Sequence, residues 1–206
     1  MRILVPREAL ARQRAALIVV ILVFLFVTPA FAQDVPGWDF FGGFSIQRSN
    51  VREYFKSTPI IYSIQNRWET LNGWDVAATE NINRWFGGTF DASGHYKTPT
   101  RLGSPNQEHM HSFLYGPKFS WRTPYFVPFA HALVGLAISS VQVTPVGPHT
   151  SDLSFAFAGG GGVDLNLGSH VSARLLQIEY FHANALGSGQ NNYRAAAGVV
   201  FHAGKK

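Results

Sequence analysis

Trp38-Asp39-Phe40-Phe41-Gly42-Gly43-Phe44-Ser45-Ile46-Gln47 is the stretch on which the fold turns. Successive side chains of a β-strand point to opposite faces. Trp38, Phe40, Phe44 and Ile46 therefore share one face, and Asp39, Phe41, Ser45 and Gln47 share the other. In a soluble sandwich the second face would carry many Lys and Glu side chains for water. Here it carries small, polar and singly charged groups, as a narrow barrel interior does, which leaves the bulky face to meet an apolar solvent.

The same period recurs downstream. Candidate strands fall at about 37–47, 72–82, 86–97, 109–121, 125–138, 153–166, 171–182 and 192–202. Each is close to the ~9–11 residues that a tilted strand needs to cross a bilayer. The connections alternate between long (48–71, 98–108, 139–152, 183–191) and short (Asn83-Arg84-Trp85, Arg122-Thr123-Pro124, Leu167-Gly168-Ser169-His170). In an up-and-down antiparallel barrel, odd connections lie at one rim and even ones at the other. The rhythm thus predicts an all-β, single-domain, closed antiparallel eight-stranded transmembrane barrel with a looped end and a turned end. In the sixth strand Phe155, Phe157, Val163 and Leu165 oppose Ser154, Ala156, Asp164 and Asn166, and Trp38, Tyr96, Trp121, Tyr125, Phe126 and Tyr193 fall near strand ends, where interfacial girdles belong.

Two positions break the alternation. Glu80 is in phase with Trp74, Val76 and Ile82, so it either stands at the headgroup level or is rotated away by a bulge. Arg174 and Glu179 are five apart, which a regular strand would place on opposite faces. A charge facing mid-bilayer lipid costs up to ~2–4 kcal/mol, so a β-bulge near Leu175-Leu176 that turns both inward is the expected solution.

Upstream of the strands, Arg2, Arg7, Arg12 and Arg14 form a basic region before the apolar run Ala15–Val27, and Ala30-Phe31-Ala32 has the small-x-small form of a cleavage site. At 13 residues the run is short of the ~20 that a membrane-spanning helix needs, which favours a cleaved signal peptide over 1–32 above a retained anchor. The remaining 33–206 would be the barrel domain. The leader holds four of the 17 basic and one of the 12 acidic residues, leaving 13 against 11. The remaining Lys and Arg are dispersed, which gives no electrostatic basis for a nucleic-acid partner. The absence of cysteine excludes disulfides, thiolate nucleophiles and Cys-ligated metals.

The motifs with chemical potential have simpler structural readings. Gly159-Gly160-Gly161-Gly162 lacks the Lys-Ser/Thr of a phosphate loop and reads as close packing within a strand, so no cofactor is expected. His109 and His111 share a strand face beside Glu108 but have no third ligand in phase, so no metal site is assigned. Asp75, Asp91, Lys118, Arg174, Glu179 and Arg194 are candidates for interior ion pairs, since a buried charge needs a partner. Pairing of the last two strands is expected to set Tyr180 roughly opposite Arg194, with Glu179 beside it as the ion-pair partner. The 24-residue first loop, 48–71, with Tyr54, Phe55, Ile60, Ile61 and Tyr62, is a candidate surface for a ligand.

Gly73-Trp74-Asp75-Val76, the turn Asn83-Arg84-Trp85-Phe86-Gly87, Phe113-Leu114-Tyr115-Gly116-Pro117-Lys118-Phe119, Arg174 with Glu179-Tyr180, and Gln190-Asn191-Asn192-Tyr193-Arg194 leading to Gly198-Val199-Val200-Phe201 together resemble the OmpA-like eight-stranded outer-membrane β-barrel family, in order, over nearly all of 37–203. The resemblance implies a multi-pass protein of the bacterial cell outer membrane, in contact with its lipids and with a structural or surface-interaction role rather than catalysis. It also implies insertion by the outer-membrane barrel assembly machinery, which reads a final strand of alternating apolar residues ending in an aromatic. Tyr193, Ala195, Ala197, Val199 and Phe201 fit that signal, although His202-Ala203-Gly204-Lys205-Lys206 follow where an aromatic terminus is usual. The peptidoglycan-binding domain of longer relatives is not present in the sequence.

Alternatives remain: an adhesin, a narrow pore, or an outer-membrane hydrolase similar to the lipid A deacylases, whose His-x-Ser-Asn segment Tyr180-Phe181-His182-Ala183-Asn184 resembles. Such a hydrolase needs a serine activated by its histidine, and Asn184 stands where that serine would be.

Overall fold

A computed structural model describes residues 35–58, 61–97, 106–143, 149–185 and 188–204, with the side chains of 51–67, 106–108, 141–150 and 185–188 outside the description. The leader, 1–32, falls outside the described residues. Eight antiparallel strands run β1 (Trp38–Thr58), β2 (Ile61–Asn81), β3 (Phe86–Lys97), β4 (Asn106–Ser120), β5 (Phe126–Val143), β6 (His149–Asn166), β7 (Val171–Ala185) and β8 (Ser188–Ala203). Each pairs with its neighbours in sequence, and β1 closes on β8 from Trp38↔Ala203 to Ser49↔Asn192. Closure leaves no sheet edge, so backbone donors and acceptors are satisfied all the way round the ring.

The short connections are built as their sequences suggest. Asn83 Oδ1 accepts from the backbone N–H groups of Trp85 (2.8 Å) and Phe86 (2.9 Å), an Asx-type turn. Thr123 Oγ1 accepts from Phe126 N–H at 3.0 Å, and Leu167 N–H donates to Val171 O at 3.1 Å. At the other end the strands run further than the sequence pattern suggests. The β1–β2 ladder continues to Thr58↔Ile61, β5–β6 to Gln142↔His149 and β7–β8 to Ala185↔Ser188, so most of the stretches read as loops at 48–71, 139–152 and 183–191 are strand. The discrepancy has a simple cause. Backbone pairing needs no apolar face, so ladders continue past the point where apolar alternation, the only sequence signal used, has ended.

Both faces are as the alternation requires. Phe40, Phe44, Phe90, Phe113, Val134, Leu136, Phe155 and Ile178 are exposed on the outside, Phe44 at 58% and Phe155 at 57%. Soluble monomers rarely expose contiguous apolar patches above a few hundred Å². Trp38, Trp85, Trp121, Tyr125 and Phe126 ring the turned end, while Trp74, Tyr96, Tyr180 and Tyr193 ring the looped end. Along β3 the axial span from Phe86 to Tyr96 is about 25 Å at ~3.3 Å per residue and ~40° tilt, the height of a lipid-facing apolar band.

The register of β7 slips against both neighbours between Arg174 and Gln177. Leu175 and Leu176 both face outward (49% and 46% exposed), while Arg174 and Gln177 are buried on the inside. This is the bulge that the five-residue spacing of Arg174 and Glu179 demands. No such slip rotates Glu80, because the β2–β3 register is continuous from Asn72↔Tyr96 to Asn81↔Gly87. Glu80 stands on the outer face at the turned rim, opposite Gly88 and Trp38.

Candidate functional site

The interior is the place where chemistry could be done, and among the described residues its centre is packed with side chains. At the turned rim Asp39 accepts from Arg122 Nη2 (2.8 Å) and Asn81 Nδ2 (3.0 Å) and lies 2.7 Å from His202 Nδ1. Above it Arg174 donates Nε to Asp164 Oδ1 (2.8 Å) and Nη2 to Asp164 Oδ2 (3.1 Å), a fork on one carboxylate. Its guanidinium also lies 4.1 Å from the ring centroid of Phe41 and 4.3 Å from that of Phe129.

The centre of the barrel is organised by Arg194, only 1% exposed. It donates Nε to Glu179 Oε2, Nη1 to Ser93 Oγ (2.7 Å) and Nη2 to Asp91 Oδ1 (3.0 Å). Glu179 also accepts from Gln177 Nε2 at 3.0 Å and contacts His131 Nε2 at 2.6 Å. Gln177 Nε2 reaches Asp75 Oδ2 at 3.2 Å, and its Oε1 accepts from Arg174 Nη1 at 2.6 Å, which ties the two guanidinium centres into one network. Toward the looped end Leu114, Leu133, Ala137, Ala156, Ala158, Phe181 and Ala183 form a close-packed apolar cluster with Met110, and Ser45 Oγ pairs with His95 Nε2 at 2.9 Å.

Of the charges singled out from sequence, Glu179, Arg194 and Asp91 come together as ion pairs, while Arg174 takes Asp164, a residue not among the candidates. Two of the six are placed differently from the expectation. Among the described residues Lys118 makes no ion pair; its Nζ sits 4.5 Å from the Phe129 ring centroid, because the carboxylate at that level, Asp164, is already held by Arg174. Asp75 is reached through an amide, Gln177, rather than by a cation directly. The expected offset of Tyr180 against Arg194 is also corrected. Tyr180 pairs with Tyr193, and Glu179 lies directly opposite Arg194, in a register that runs unbroken from Ala185↔Ser188 at the hairpin end.

Gln177, His131, Ser93 and His95 were not legible as site residues. Each is one inward position of a regular strand, and nothing local marks it. The glycine run acquires a use here: a Cβ on Gly160 would meet Glu179 Cα and Cγ at 2.7 Å, and one on Gly162 would meet the Phe129 ring at 2.8 Å. These glycines make room for the central carboxylate and for the ring under the two cations.

Outside, His109 and His111 each pack edge-on against Tyr96, with centroids 5.4 Å apart, as part of the looped-end girdle. Among the described residues no group of three or more His, Cys, Asp or Glu is placed to hold a metal ion. His182 stands on the outer face against Phe157 (5.2 Å), and its Nδ1 contacts Asn191 Oδ1 at 2.8 Å. The hydrogen-bond partner of this ring is thus an amide, with Tyr180 OH donating to the same oxygen at 2.8 Å. Phe201, at the end of β8, points outward between Phe40 and Val171, 56% exposed.

A closed eight-stranded antiparallel ring with an apolar exterior and a packed polar interior has the fold of the eight-stranded outer-membrane barrels. Comparison with solved structures agrees. The chain is similar to Neisserial surface protein A (TM-score 0.60, 13% identity, 81% of this chain and 97% of that one), to the attachment invasion locus protein Ail of Yersinia pestis (0.54, 14%, 81% and 99%) and to the outer membrane protein OprG of Pseudomonas aeruginosa (0.52, 13%, 82% and 97%). No family model matches the chain, and no curated protein matches it.

Proposed function

We propose that the chain is an integral outer-membrane β-barrel of the OmpA-like kind, with a structural or surface-interaction role and no catalysis. Residues 1–32 act as a cleaved export signal, and 33–206 are the barrel domain. The observation that carries this reading is the inversion of the usual burial pattern. Large aromatics and aliphatics stand exposed around the whole outer face, while charged Arg194, Glu179, Asp91 and Asp75 are buried within. Such a surface is stable only in hydrocarbon, and a lumen filled by side chains leaves no open conduit.

Asp75, Asp91, Lys118, Arg174, Glu179 and Arg194 serve as structural charges holding the wall together from inside. Tyr193, Val199 and Phe201, outward on the final strand, are the assembly signal read by the barrel assembly machinery. The long hairpins, above all 48–71, are the surface for an external ligand. Ail, which shares the fold, has been solved in complex with the heparin analogue sucrose octasulfate. A His182-centred hydrolase is disfavoured by the amide oxygen of Asn191 at Nδ1 and by Asn184 at the serine position.

The test is topological. Epitope tags inserted within 48–71 or 139–152 label on intact cells, and a tag at Arg122-Thr123-Pro124 does not; the protein fractionates with the outer membrane and shows no steady conductance in planar bilayers. Equal labelling of both sets, or recovery in the soluble periplasm, contradicts the reading.

A further inference from the structure

The outer face of the barrel is not evenly clad. At the turned rim, where β4 meets β5, Phe119 pairs with Ala130, and Trp121 N–H donates to Pro128 O at 2.8 Å. Two small or flat residues, Pro128 and Ala130, therefore face a row of large rings. Trp85 from the preceding turn packs edge-on against Trp121, with centroids 5.1 Å apart and planes at 88°. The result is an apolar groove of about 420 Å³ walled by Trp85, Phe119, Trp121, Pro128 and Ala130. Its walls are hydrocarbon, and its lower end lies at the level of the turned-end girdle.

One cation stacks on the groove's Trp85 from beyond its lining. The Arg84 guanidinium carbon lies 4.9 Å over the Trp85 ring, and Arg84 Nη2 donates at 3.4 Å to the carbonyl oxygen of Arg122. Stacked on the same indole that walls the groove, it stands where a lipid headgroup would follow an acyl chain out of the hydrocarbon. A guanidinium presents a planar fork of donors suited to phosphate oxygens and keeps its charge at every relevant pH. Neither Glu80, on β2, nor Arg84 is itself a groove wall; Arg84 also lines the cavity at the turned mouth of the barrel.

We infer that this groove is a specific phospholipid site in the leaflet at the turned end, holding one acyl chain against Trp121, Phe119 and Ala130, with the phosphate on Arg84 and a preference for anionic headgroups. The inference rests on the membrane-spanning reading above. A headgroup carrying a net negative charge gains from Arg84 what a zwitterionic one largely cancels with its own ammonium.

The experiment uses a Trp38→Phe/Trp68→Phe/Trp74→Phe variant of the refolded barrel, which keeps only the two groove indoles, Trp85 and Trp121. It is placed in phosphatidylcholine bilayers containing a small fraction of chain-brominated phosphatidylglycerol or chain-brominated phosphatidylcholine. The expected result is an association constant for phosphatidylglycerol at the groove about fivefold that for phosphatidylcholine, roughly 1 kcal/mol, the upper end of what a single exposed ion pair contributes. Arg84→Gln brings the ratio close to one. Ala130→Phe, which fills the groove, does the same without touching the cation. Arg48→Gln, at the opposite rim over Trp68, leaves the ratio unchanged. Equal quenching by both lipids in the parent, or a preference that survives Arg84→Gln, shows a merely annular surface and overturns the site while the barrel's insertion stands. Absence of quenching by either lipid shows a barrel outside the bilayer, and overturns both readings.

Discussion

Replacing Arg194 with alanine should be the most damaging interior substitution, more so than replacing its partner Glu179. The reason lies in how charge is shared. Arg194 bonds both Glu179 and Asp91, whereas Glu179 has His131 and Gln177 besides Arg194. Arg194→Ala strands Asp91 and leaves Glu179 with only His131 and Gln177, both carboxylates at 1% exposure, while Glu179→Ala leaves Arg194 still bound to Asp91. Removing one partner of a buried pair costs about 3–5 kcal/mol, and Arg194→Ala belongs at or above the top of that range, with Glu179→Ala at its lower end. At an m-value of ~2 kcal/mol per M in urea, these correspond to midpoint shifts of about 2.5 M and 1.5 M. The assay is urea unfolding of the barrel refolded into lipid vesicles, followed by tryptophan fluorescence and by heat-modifiable mobility. A Glu179→Leu/Arg194→Met double change recovers part of the loss but leaves Asp91 without its cation. Adding Asp91→Asn recovers most of the remainder. If the losses of Glu179→Ala and Arg194→Ala add in full in their double mutant, or if Asp91→Asn recovers nothing, the shared-cation account is wrong.

Three further outcomes follow from other parts of the barrel. Phe201→Ala lowers the yield of heat-modifiable, membrane-inserted protein several-fold, and deletion of Lys205 and Lys206 does not; normal assembly of the Phe201 variant removes that residue from the role proposed for it. Gly160→Val, which drives a branched side chain into Glu179, lowers the urea midpoint by about 0.5–1.5 M, at an overpacking cost of ~1–3 kcal/mol, whereas Gly159→Val, with nothing within 4 Å of its Cβ position, is near neutral. Deleting Leu176 removes the surplus residue and sets Arg174 and Glu179 four apart, the spacing a regular strand places on one face, so the variant refolds, whereas deleting both Leu175 and Leu176 turns Arg174 toward lipid and abolishes refolding; a double deletion that refolds with wild-type stability refutes the bulge as the device that keeps Arg174 inside.

The sequence by itself determined which faces the strands present, because alternation is local: each Cβ is set by its own residue's position in the pleat. It also determined the position of the bulge, since Arg174 and Glu179 can share a face only if one residue between them is left over. The strand count was legible for the same reason, being written along the chain, and so was which end carries the extended hairpins, although the stretches read there as loops are mostly strand. The ends of the long strands were not, because hydrogen-bonded ladders continue to Thr58 and Ile61 with no apolar pattern to mark them. The identity of the partners across the lumen was decided only by tertiary structure. Arg194 meets Asp91 and Ser93 at separations of 103 and 101 residues, and Gln177 meets Asp75 at 102. Such neighbours depend on the tilt and stagger of the closed sheet, which set the height each strand delivers to a given level of the lumen. Local pattern fixes that a charge points inward; ring closure fixes which charge it meets, which is why Asp164 rather than Glu179 holds Arg174 and an aromatic ring rather than a carboxylate lies beside Lys118.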